Sequence, residues 1–358
     1  MLMKKIIAIL AIVLSANAVF ARETIKGDDG KVTYIGRTAL KNGTASFDWS
    51  GVTMVVEFEG SSLTVIANDT RTNSFNVWVD KEQSAQADMV LNLNGSRIVA
   101  KGLAKGKHTV ILQKRTEGEQ GLTVIKSFST DGTFSQARGL KERRIEFIGD
   151  SYTCGYGTES SSRDDPFKAD EENCNLAYAA ITGRFFDADI QLVSHSGRGI
   201  VRNYGGGSPE ETMPNKYLRT FDCSDGAEWK DGSFNPSIVV IYLGTNDFSV
   251  GVQPLISEWC REYVRLLKEV RENYPSVPVL CVASKADTLM GEYVEKAVAA
   301  SGLENVFWTS IQEKAHNDTS ELGASWHPNY EGQRKVASLM IPYISTITGW
   351  EMPHKIME

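Results

Sequence analysis

The chain has 358 residues, 41% hydrophobic and 23% charged, with a formal net charge of −7. The apolar content is ample for buried cores, and the length suits about two domains. The acidic balance, without a long Lys/Arg cluster, excludes nucleic acid and anionic membrane surfaces as partners but leaves neutral polymers open.

Lys4 and Lys5 precede an uncharged run from Ile6 to Leu14, and Val19-Phe20-Ala21 stands before the polar Arg22-Glu23. A positive start, a short apolar run and a small-residue site predict a secretory signal peptide over residues 1–21, cut after Ala21. The apolar run is shorter than the roughly 20 residues that cross a bilayer, so no stable membrane insertion is expected and the protein should be secreted or periplasmic. Loss of both lysines takes the net charge to −9. Five cysteines, Cys154, Cys174, Cys223, Cys260 and Cys281, lack the C-x-x-C spacing of a structural zinc site, and their odd number leaves one thiol unpaired. Cys260 and Cys281 read as buried thiols, while a bridge from Cys154 to Cys174 or Cys223 stays open.

Residues 22–135 are written in short strands: Thr53 to Phe58, Ser62 to Ile66, Ser74 to Val79, His108 to Leu112 and Leu122 to Ile125. Period-two alternation, with Glu59-Gly60 and Asn94-Gly95 as turns, predicts an antiparallel β-sandwich. Thr130 to Gly139, rich in Gly, Ser and Thr, reads as a hinge.

From residue 140 to 358 strand, loop and helix alternate. Strands are expected at Ile145 to Ile148, Ile190 to Val193, Ile238 to Leu243, Val277 to Val282 and Val306 to Trp308, and helices at Leu176 to Phe186, Ser257 to Tyr274 and Glu331 to Ser345. That order builds an α/β fold, a parallel sheet covered by helices on both faces, with ligands gathered at the carboxyl ends of the strands.

Four segments fall at those ends. Gly149-Asp150-Ser151 follows the first strand and can present a hydroxyl with a free backbone N–H; alone, this tripeptide is a common turn. Ser196-Gly197-Arg198 follows the second, and Gly197 lets a backbone N–H approach a ligand. Gly244-Thr245-Asn246-Asp247 follows the third, where the Asn246 amide can join the N–H groups of Ser151 and Gly197 around an oxyanion, or simply cap a turn. Ser325-Trp326-His327 precedes the last helix, where His327 can act as base for Ser151. Trp326 offers an indole face for a sugar ring, or packs as an ordinary Trp. Asp150 and Arg198, flanking these groups, are further candidates for contact with substrate.

In this order the four segments resemble the blocks of the SGNH (GDSL-like) hydrolase superfamily. With Phe47-Asp-Trp49-Ser-Gly51, Lys114-Arg-Thr-Glu117 and Asn203-Tyr204 added, nearly the whole mature chain resembles carbohydrate esterase family 2. The resemblance implies a jelly-roll domain before a three-layer SGNH domain. It also implies a secreted serine esterase that removes O-acetyl groups from polysaccharide, at the 6-O position of glucosyl or mannosyl units in hemicellulose. Ser151 and His327 would be catalytic, Ser151, Gly197 and Asn246 would form the oxyanion hole, and neither cofactor nor metal is required; a monomer is expected. One position departs from the pattern. Many SGNH enzymes carry Asp three residues before the His, and Ala324 stands there. A backbone carbonyl orienting His327 is the favoured replacement, with Glu321 or Asp318 as the alternative. The competing readings are a GDSL lipase or thioesterase, and a catalytically inactive carbohydrate-binding protein.

Overall fold

A computed structural model describes residues 22–354 apart from 225, 230–232, 284–288 and 312–317. The expected signal peptide lies outside the described residues. The first part holds β1 (Glu23–Lys26), β2 (Thr33–Ile35), β3 (Ala39–Lys41), β4 (Thr44–Phe47), β5 (Thr53–Asp69), β6 (Phe75–Val79), β7 (Met89–Leu91), β8 (Gly95–Lys114), β9 (Thr123–Thr130) and β10 (Thr133–Ser135).

These strands pair antiparallel in one continuous ten-stranded sheet of order β3-β4-β9-β5-β8-β6-β7, with β1 on β9 and both β2 and β10 on β5. The sequence pattern predicts separate strands at 53–58 and 62–66 joined by a turn at Glu59-Gly60. Instead β5 runs through, and its register shifts at Gly60/Ser62, Leu63/Thr64 and Ile66/Ala67. Such irregularities bend a strand without ending it. Gly60 is needed for another reason: a Cβ there would meet Asp131 Oδ1 at 2.7 Å. The expected hinge is also tied down, because it contains β10, paired to Glu57–Glu59, and the buried Ala137.

The second part is a parallel sheet of β11 (Arg144–Gly149), β12 (Asp189–Ser194), β13 (Ile238–Tyr242), β14 (Val279–Ala283) and β15 (Val306–Ser310), in the order β12-β11-β13-β14-β15. Strand β14 starts two residues later than the apolar run, since Pro278 has no N–H to give to a ladder. Alternate residues face opposite layers. Phe147, Val240 and Leu280 pack with α2 (Tyr178–Phe186) and α6 (Tyr330–Thr348). Ile148, Val239, Ile241 and Cys281 pack with α4 (Ile256–Asn273) and α5 (Met290–Ser301). Helix α5 was absent from the sequence reading, although Met290, Tyr293, Val294 and Ala297 show its i, i+3, i+4, i+7 spacing.

Part of the second core belongs to the same hydrophobic cluster as that of the first part, with Trp49 and Val52 from the first and Val193, Ile200 and Val239 from the second among its members. Gly51 sits at this seam with φ +75°, and a Cβ on it would meet Leu192 Cδ1 at 2.9 Å. Gly51→Leu is therefore expected to lose about 1–3 kcal/mol of stability by overpacking. Thermal unfolding checks this: the midpoint should fall by several degrees, with both parts melting together.

Candidate active site

Strand β11 delivers its last residues into a short helix, Ser151–Cys154. Asp150 caps that helix through Oδ1, which accepts the Tyr152 N–H at 3.1 Å. Gly149 allows the tight turn, since a Cβ there would lie 2.0 Å from Thr153 Oγ1. Ser151 thus stands at the carboxyl edge of β11, 6% exposed.

His327 arrives from a two-residue-strand hairpin in which Leu322–Gly323 pairs with His327–Pro328. Between the strands, Ser325 (φ 52°) and Trp326 (φ 64°) are both left-handed, a conformation that non-glycine residues rarely adopt. This turn aims two carbonyls at Nδ1, Ser325 O at 3.0 Å and Ala324 O at 3.2 Å. Nε2 lies 2.8 Å from Ser151 Oγ. Because a carbonyl only accepts, Nδ1 carries the hydrogen, and Nε2 presents its lone pair to the Ser151 hydroxyl. Burial pushes the His327 pKa down to about 4 against the pull of the two carbonyls, so the imidazole is neutral at pH 7. Tyr156 stacks on the ring at 4.2 Å and Tyr152 meets its edge.

No carboxylate among the described residues hydrogen-bonds His327. Glu321 binds Lys335 at 2.8 Å, and Asp318 accepts from Ser320. Ala324 is buried against Gly157, where a Cβ would come 2.8 Å from the Ala324 Cβ.

The other two blocks close on the same edge. Gly197 has φ +81°, and its carbonyl accepts the Tyr204 N–H at 2.7 Å. Asn246, in the turn after β13, donates from Nδ2 to Arg198 O at 2.8 Å and to Asp150 Oδ2 at 3.3 Å. Asp247 fastens the two loops together by accepting the N–H groups of Ile200, Val201 and Arg202.

Two expected substrate contacts turn inward instead. Asp150 is 1% exposed and spends its oxygens on Tyr152 and Asn246; burial, reinforced by the Asp247 charge, raises its pKa to about 7. Arg198 is buried, with Nη1 2.5 Å from Asp222 Oδ1, because a desolvated guanidinium requires a counter-charge. Trp326, by contrast, is exposed, with the Arg163 guanidinium 4.1 Å from its ring centre. All five cysteines are free. Cys281 is buried as expected, whereas Cys260 is only half-buried, and Cys154 contacts Ser194 Oγ at 3.3 Å.

Among residues without an individual role in the sequence reading, Glu117 and Asp48 come from the first part and Glu172 from the second. Glu117 Oε2 accepts the Ser196 N–H at 2.6 Å, next to Gly197. Asp48 accepts the N–H groups of Asp222, Cys223 and Ser224 at 2.6, 3.0 and 3.1 Å. Glu172, pressed against Glu117, is driven far above the carboxylate range by burial and by that neighbour's charge. The signal lay in the Asp-Trp-Ser-Gly and Lys-Arg-Thr-Glu segments, but their targets are about 80 to 175 residues away.

The profile described as "Carbohydrate esterase 2 N-terminal" matches residues 34–137, and that of the "GDSL-like Lipase/Acylhydrolase family" matches residues 147–335. An "Acetylxylan esterase / glucomannan deacetylase" of Cellvibrio japonicus is 30% identical over 96% of this chain and 98% of its own length. The chain belongs to carbohydrate esterase family 2, within the GDSL-like lipase/acylhydrolase family. Another relative of this family 2 chain is the "Cellulase/esterase CelE" of Acetivibrio thermocellus, 32% identical over 84% of this chain. The chain spans only 38% of that protein's length. A family 2 carbohydrate esterase from Clostridium thermocellum, solved with cellohexaose, superposes with a TM-score of 0.81 at 31% identity. It covers 89% of this chain and 100% of that one.

The neutral His327 of this family 2 site has a checkable consequence. Its folded pKa lies below the unfolded value of about 6.5, so the folded state binds fewer protons, and stability is lost as pH falls from about 6.5 towards 4. An NMR titration should place the His327 midpoint near 4, and denaturant unfolding should show stability declining through that window more in the native protein than in His327→Gln.

Proposed function

We propose that the chain is a secreted or periplasmic serine esterase that removes O-acetyl groups from polysaccharide, at the 6-O position of glucosyl or mannosyl units in hemicellulose. The observation that carries the reading is the 2.8 Å approach of Ser151 Oγ to the unprotonated Nε2 of His327, with Nδ1–H held by carbonyls. Ser151 attacks the acetyl carbonyl while its proton passes to Nε2. His327 then returns the proton to the departing sugar hydroxyl. Water, deprotonated by the same nitrogen, attacks the acetyl-serine and releases acetate.

The oxyanion of each tetrahedral intermediate is met by the N–H groups of Ser151 and Gly197 and by the Asn246 amide, which exchanges its longer bond to Asp150 for the new acceptor. Each such donor is worth about 3 kcal/mol in the transition state. A carbonyl stabilises imidazolium less than a carboxylate does, so these donors carry a larger share of the electrostatic work. The exposed indole of Trp326, beside the base, suits the apolar face of a pyranose. The printed activities of the relatives and the cellohexaose complex support a carbohydrate substrate. We also read the curled antiparallel sheet as a jelly roll, and the protein as a monomer.

The test is acetate release from acetylated glucomannan, xylan and pectin in parallel, with NMR to locate the product hydroxyls. Ser151→Ala should lose about 10³-fold or more in kcat with an unchanged melting temperature. Preference for long-chain acyl esters would replace this reading with a lipase or thioesterase, and glucomannan binding without acetate release would replace it with a binding protein.

Restoring a carboxylate before the histidine should not help. Ala324→Asp must place a larger side chain against Gly157, so the expected result is no gain in kcat and a stability loss of about 1–3 kcal/mol, read by acetate release and thermal melting.

A further inference from the structure

A second constellation lies on the loop that carries Gly197 but takes no part in the proposed acyl transfer. His195 Nδ1 lies 2.7 Å from Asp222 Oδ2, and Cys223 Sγ lies 3.8 Å from that nitrogen and 3.6 Å from that oxygen. We propose that His195, Asp222 and Cys223 form a binding site for a divalent cation of the zinc class. A tetrahedral ion bonded at about 2.0–2.1 Å to nitrogen, 2.0–2.2 Å to oxygen and 2.3 Å to sulfur spaces its donor atoms roughly 3.3–3.6 Å apart. Two sides of the observed triangle are within a few tenths of an ångström of that range. The third is short because a proton, smaller than any metal, now bridges Nδ1 and Oδ2.

The donors are held from behind. Asp48 fixes the backbone of Asp222 and Cys223, and Glu117 fixes Ser196, next to His195. Arg198 occupies the other oxygen of Asp222, leaving Oδ2 to the cation. Its charge opposes a cation, but carboxylate oxygens of Glu117 and Glu119 lie 3.8 Å from Nδ1 and Nε2 of His195 and offset it. Cys223 is exposed, which provides an entrance and an open fourth position for water. The mixed thiolate and imidazole set favours zinc, cobalt or cadmium over magnesium and calcium. The other cluster of this kind among the described residues, Glu117, Cys154 and Glu172, is wholly buried and has no such entrance. Short C-x-x-C spacing is absent because the ligands come from two loops, after β12 and around residue 222.

The inference stands on side-chain geometry and is independent of the esterase reading. The full chain without its leader would be titrated with Co²⁺ and followed by the absorbance of the thiolate-to-cobalt charge-transfer band, with Zn²⁺ added to displace it. The expected result is one equivalent bound with a thiolate band. Cys223→Ser and Cys223→Ala should each abolish the band and weaken binding at least tenfold, while Cys260→Ser leaves both unchanged. Absence of a band in the native chain, or a band that survives in both Cys223 variants, overturns the proposal.

Discussion

A neutral imidazole held by main-chain carbonyls is the constraint around which the site is built. His327 can turn its lone pair to Ser151 only if the hydrogen on Nδ1 has an acceptor, and Ser325 O and Ala324 O supply it. Aiming them requires two consecutive left-handed residues, each costing on the order of 1–2 kcal/mol. The surroundings offset that cost. Asp165 O accepts the Ser325 N–H, Arg163 O accepts the Trp326 N–H, and Thr158 O accepts the Tyr330 N–H, so the turn is braced by the segment 158–165. Burial of the ring then removes the stability of imidazolium and leaves a base at neutral pH.

The loops facing His327 depend on the antiparallel part of the molecule. Glu117 and Asp48 are buried carboxylates that reach across the seam to backbone N–H groups beside Gly197 and at 222–224. Lys114, buried with them, has its ammonium driven down by burial and held up by Asp48 and Glu172. Such charges are tolerated only when partnered, which makes the seam a polar lattice inside a continuous apolar core. The first part thereby supplies geometry to a candidate site whose proposed reacting groups, Ser151 and His327, both belong to the second.

Much of this was legible residue by residue. The alternation of strands and helices after residue 140 follows from apolar period, and the observed parallel sheet follows that alternation. Gly149 stands where a Cβ would collide with Thr153 Oγ1, and Gly197 and Gly244 stand where the backbone takes a positive φ. What was not legible shares a feature. Asp150 and Arg198 sit in the right segments, yet the Asp150 oxygens are taken by the Tyr152 N–H and the Asn246 amide, and the Arg198 charge is paired with Asp222. Gly60, read as a turn, is a point of close approach to the 131 loop. Local pattern reports the conformation a segment prefers, not which distant group meets it.

The chemistry-bearing side chains, the strand ends that carry them and the missing carboxylate at Ala324 are all determined by the sequence, because each is a matter of residue identity within a few positions. Tertiary structure alone decided that backbone carbonyls orient His327, that Glu117 and Asp48 brace the opposing loops, and that Asp150 and Arg198 turn inward. The physical reason is that a carbonyl has no side-chain signature, and that hydrogen bonds spanning 79 to 174 residues exist only once the two sheets have packed.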